Sequence, residues 1–145
     1  TTRILPPDGA AMDHPSLRGV KGGQVVPSWL YHVEPLPADA TVLLWGEAIG
    51  SEQPESAPRR QPILWVRERP VEYRSWRDPK EPPAPTPRPQ RIAYTSLGHP
   101  GDFSDPAFRL IAAQMVAWGA FREGELDDAE RKAIREAAYS PPNTR

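Results

Sequence analysis

Residues 91–118, RIAYTSLGHPGDFSDPAFRLIAAQMVAW, run from a strand pattern through a turn into a helix. Arg91 to Leu97 reads as a main strand, and Gly98-His99-Pro100-Gly101-Asp102-Phe103 after it is dense in turn formers. Asp105 then stands at an N-cap, with Pro106 at the first helical position, where its missing N–H costs nothing. Phe108, Ile111, Met115 and Trp118 recur at helical spacing on one face. Ala112 and Gly119 are small enough to let that face lie close to a sheet.

Upstream, Thr41–Trp45 and Pro62–Arg67 are apolar, β-branched runs of the kind expected in strands covered on both faces. A polar loop over 47–61 separates them, and residues 71–76 extend the second run or pair with it. Trp29–Val33 is a shorter strand pattern with Trp29, Tyr31 and Val33 on one face, stopped by Pro35 and Pro37. Asp13-His14-Pro15 with Gly19 predicts a single helical turn. Downstream, Asp127 and Glu130 form a capping pair for a second, alanine-rich helix over 127–138. The segment 79–89, PKEPPAPTPRP, cannot be helix or central strand, because proline fixes φ and lacks a donor. It predicts an extended surface loop without regular structure, and its Pro82–Pro85 spacing also fits a ligand for aromatic grooves.

The whole chain, 145 residues with a net charge of −1, is the size of one domain and carries no global field toward nucleic acid or anionic lipid. With no cysteine, it has no disulfide, Cys-ligated metal or thiol nucleophile. No apolar run reaches membrane-spanning length. The compartment stays open.

Four pieces in order give the chain a family resemblance. Residues 91–118 resemble the end of ThuA-like (trehalose-utilisation) domains: a strand, a T-S-L-G-H turn, a D-P-A-F-R helix start and a terminal tryptophan. Asp13-His14-Pro15 with Arg18-Gly19 is similar to the family's D-H-P-x-x-R-G element, Trp29-Leu30-Tyr31 to its L-Y strand, and Pro62-Ile63-Leu64-Trp65 to its P-V-A-W strand. The resemblance covers roughly 13–121. It implies an α/β fold, the C-terminal part of a flavodoxin-like, class I glutamine amidotransferase-like three-layer arrangement. The long proline-rich loop at 79–89 departs from the family, where a short turn is usual. The implied organisation is a ThuA-like portion over 1–121 and a helical extension and tail over 122–145. The family's N-terminal Rossmann-like half has no counterpart here, so the resemblance implies a fragment or split domain that needs that half or self-associates.

His99 is the candidate catalytic residue, because ligand crevices of open α/β sheets lie at strand ends. His99-Pro100 matches two residues of the amidotransferase H-P-E turn, but Gly101 replaces the glutamate and there is no cysteine, which argues against glutaminase chemistry. Asp102 offers a substitute partner for the imidazole. A turn histidine bonded to backbone is the competing reading of His99, as strand-end hydroxyl is for Ser96, turn former for Asp102 and helix cap for His14. The ligand residues implied are Ser96, Gly98, His99, Asp102 and Tyr31. The three histidines lack metal-ligand spacing, and neither a metal nor a cofactor is expected. Trp29, Trp45, Trp65 and Trp118 read as core residues, and Trp76 as the one placed to meet a ligand or partner. The resemblance implies a small sugar or sugar-derived ligand. The alternatives are a non-catalytic interaction module and a metal-dependent hydrolase or isomerase using His99.

Overall fold

The computed structural model describes residues 1–50, 59–75, 77–78, 80–122 and 126–139. Its principal sheet has five strands: β1 (Thr2–Ile4), β2 (Val25–Val26), β3 (Thr41–Ala48), β4 (Arg60–Arg69) and β7 (Gln90–Thr95), in the spatial order β2-β1-β3-β4-β7. Every pairing is antiparallel. The sheet curls, and two helices, α1 (Pro106–Gly119) and α2 (Asp128–Glu136), accompany it. The expected flavodoxin-like three-layer α/β fold is therefore wrong for this chain. A parallel sheet needs a crossover connection, usually a helix, between successive strands. Here the proline-rich stretch occupies the connection from β4 to β7, and the strands return antiparallel.

The three sequence-predicted strands do share this sheet. Leu64 pairs with Thr95, Trp65 with Tyr94 and Val66 with Ala93. One face bears Leu64, Val66 and Ala93, with Arg91 at its far end, where the guanidinium meets the Trp118 ring and carbonyl of α1. Phe108, Ile111, Met115 and Trp118, the predicted helical stripe, are all buried. Asp105 caps α1 through the N–H groups of Ala107 (2.8 Å) and Phe108 (2.9 Å). The buried Gln114 amide donates to the Ser16 carbonyl at 2.9 Å, fastening α1 to the predicted turn at Pro15–Leu17.

An irregular arm packs over the same buried face, its Leu30 in one core with α1. No helix or strand forms between Pro27 and Ala40, so the strand expected over Trp29–Val33 is absent. Leu30 is buried, while Trp29 and Tyr31 are 70% and 57% exposed. Trp29 is thus a surface residue rather than a core one. Gly46 makes room for the arm: a Cβ there would lie 2.5 Å from Ile63, 2.7 Å from Thr2 and 3.0 Å from Leu30. The buried Gln61 side chain accepts the Val33 N–H at 3.1 Å and fixes the arm's far end.

The proline-rich segment is exposed over 80–85 but not wholly irregular. β6 (Ala84–Pro85) pairs with β5 (Glu72–Tyr73), and Thr86 donates to the Val71 carbonyl through both its N–H and its hydroxyl. Proline is tolerated because this two-residue ladder is all edge. Trp76, Pro79 and the tail over 140–145 lie outside the described residues. α2 has the predicted capping box between Asp127 and Glu130.

Candidate functional site

Beyond β7 the chain turns at Gly98, whose φ of +147° is a conformation that residues with a Cβ rarely adopt. This reverses the backbone into a short 3-10 helix, Pro100–Ser104, with His99 at its N-cap. The His99 Nδ1 accepts the Gly101 N–H at 2.9 Å. In the neutral ring, that bond assigns the proton to Nε2.

Asp102 is fully buried beneath this turn. Its carboxylate accepts the main-chain N–H groups of Gly98 (2.8 Å), His99 (3.1 Å) and Ser28 (3.0 Å), and it takes a short hydrogen bond from the Ser28 hydroxyl. The Ser28 oxygen in turn faces the same two N–H groups, at 3.2 Å from Gly98 and 3.1 Å from His99. Asp102 therefore does not orient the imidazole. It holds the peptide that carries His99 and ties it to a segment more than seventy positions upstream. A buried carboxylate demands such a shell of donors, since desolvation without them is expensive.

The tie brings two walls together around a groove of about 640 Å³. Ser28, Trp29 and Tyr31 form one wall, and Ser96 to His99 form the other. Four of the five expected ligand residues, Tyr31, Ser96, Gly98 and His99, line it, while Asp102 lies behind it as the buried anchor. The Ser96 hydroxyl beside it is buried and, among the described residues, has no hydrogen-bond partner.

The remaining histidines go elsewhere. His14 caps the Pro15–Leu17 turn by accepting the Ser16 N–H, and its ring lies 5.3 Å from that of Trp118. His32 is exposed on the arm and is not part of the groove lining. Among the described residues, no three His, Cys, Asp or Glu side chains group to hold a metal. No described helix is long and apolar enough to cross a membrane.

Sequence reasoning missed Ser28 and Trp29 as groove residues. Ser28 carried no local signal, because its partner is remote in the chain. Trp29 falls in a strand pattern, which places it among the core residues. No family model, curated protein or solved structure matches the chain.

Proposed function

We propose that the groove between Ser28 and His99 binds a small sugar or sugar-derived ligand, in keeping with the ThuA-like motifs of the sequence. The observation that carries this reading is the meeting of two exposed aromatic side chains, Trp29 and Tyr31, with the Ser96–His99 turn around one concavity. Sugar rings present C–H faces that pack on aromatic surfaces, and hydroxyls that need directional partners. The His99 Nε2–H supplies such a partner.

Binding, rather than glutaminase catalysis, is the role supported. The chain has no thiol, and no carboxylate of the turn engages the His99 ring. The metal-dependent reading finds no donor cluster among the described residues.

The test is calorimetric titration of a panel of mono- and disaccharides and their oxidised derivatives against the wild type, Trp29→Ala and His99→Ala. Trp29→Ala should weaken binding by about tenfold or more, equivalent to about 1.4 kcal/mol. His99→Ala should weaken it in the same direction, and both variants should keep the wild-type Tm to within a few degrees, because exposed side chains add little to folding. Wild-type affinity in both variants would remove the groove from consideration.

A further inference from the structure

We infer that the groove selects an uncharged ligand, because the protein's own Asp102 fills the anion-binding position behind it. This rests on the sugar-binding reading and narrows it to neutral rings over sugar acids and sugar phosphates.

Three main-chain N–H groups, those of Ser28, Gly98 and His99, converge at the base of the two walls. Convergent backbone donors of this kind form a concavity suited to a phosphate or carboxylate. Asp102 already sits in it. The carboxylate contacts all three N–H groups at 2.8 to 3.1 Å and also takes the Ser28 hydroxyl. It is fully buried, so solvent does not screen it as it would a surface charge.

An incoming anion thus meets occupied donors and a like charge behind them. Among the described residues, the groove lining holds neither lysine nor arginine to offset that charge. The groups left for a ligand are of another kind. His99 offers Nε2–H, its Nδ1 being committed to Gly101. Trp29 and Tyr31 add aromatic surface. That set suits neutral hydroxyls on a ring. Asp102 is in this sense a specificity-determining residue that acts without touching the ligand.

Two measurements on the wild-type chain test this. The first titrates matched rings, methyl glucoside against glucuronate and glucose 6-phosphate, by calorimetry. The neutral ring should bind at least about tenfold more tightly, since an uncompensated charge beside a buried carboxylate is costly. Equal or tighter binding of the charged rings would overturn the inference and leave the sugar reading standing. Binding of none of the three, with none across the wider panel, would overturn both. The second measurement follows the Gly98 and His99 amide resonances while inorganic phosphate is added at constant ionic strength. These amides should not move. A saturable shift would show an open anion site and sink the inference whatever the sugars do.

Discussion

The Ser96–His99 wall of the groove continues from β7 and runs into α1 within ten residues, so its position is set by a ladder on one side and a capped helix on the other. The Ser28–Tyr31 wall follows only the two-residue strand β2 and leads into no helix or strand before β3. Its attachments are single contacts: the Thr2 hydroxyl on the Ser28 carbonyl at 2.8 Å, Ser28 on Asp102, and Leu30 against Gly46. One wall is held by repeating secondary structure and the other by a few specific side chains. The binding surface depends on both, so its weakest determinants are far from the residues that face a ligand.

That contrast can be broken most severely at Asp102. Asp102→Ala would remove the charged acceptor of three N–H groups and of the Ser28 hydroxyl, leaving Gly98 and His99 only the Ser28 oxygen, and hydrogen bonds to a charged group are worth about 1.5–3 kcal/mol each. Allowing for solvent entering the vacated space, a loss of about 3 kcal/mol is expected. At about 3 °C per kcal/mol, the Tm falls by about 10 °C. Amide exchange should quicken at Ser28 as well as at Gly98. Exchange that changed only in the 98–102 turn would show that the arm holds itself.

Gly46→Ala tests the arm from its other end. The added methyl would press on Ile63, Thr2 and Leu30, and such overpacking costs about 1–3 kcal/mol. Sugar binding should weaken while the α1 amides keep their protection. Unchanged binding would mean that the Leu30 contact does not set the position of Trp29.

The smallest effect separates these buried ties from surface charge pairs. Hydrogen bonding to Arg67 lowers the Asp39 pKa, and hydrogen bonding to Arg131 lowers that of Asp128, each from an ordinary 3.8. A carboxylate with a depressed folded-state pKa stabilises the fold above its unfolded value, and that stabilisation is lost as pH falls through the folded value. Both carboxylates are exposed to solvent, so the effect is small. Thermal melts of wild type and of the double variant Asp39→Asn/Asp128→Asn should therefore converge slightly as pH is lowered below 3.8. A gap that widened in acid would contradict the assignment.

The legible parts of the molecule were those with local chemistry. Asp105-Pro106 marks the start of α1, the Phe108–Trp118 stripe marks its buried face, and the turn at Gly98 falls where its composition placed it. Strand direction was not legible. The apolar runs at Thr41–Trp45 and Pro62–Arg67 predict cover on both faces, but what lies over a strand is not written in it: the helix and the arm pack on one face, and Trp45 and Trp65 on the other stay partly exposed. The groove was half legible for the same reason. Tyr31, Ser96, Gly98 and His99 were named from motifs, but alternation misassigned Trp29, and nothing near Ser28 in sequence points to Asp102.

Arg109 extends this dependence to the far end of the chain. Its guanidinium donates to the carbonyls of Phe103, Ile134 and Arg135, at 2.6, 3.2 and 2.5 Å. Phe103 immediately follows Asp102, and its ring also lies 5.7 Å from that of Tyr139. One side chain therefore joins the last turn of α2 to the turn that shapes the groove. Fraying of α2 would strip two of the three acceptors from Arg109 and loosen its hold on the peptide beside Asp102. The C-terminal helix, although it lines no part of the groove, acts as a splint for the turn.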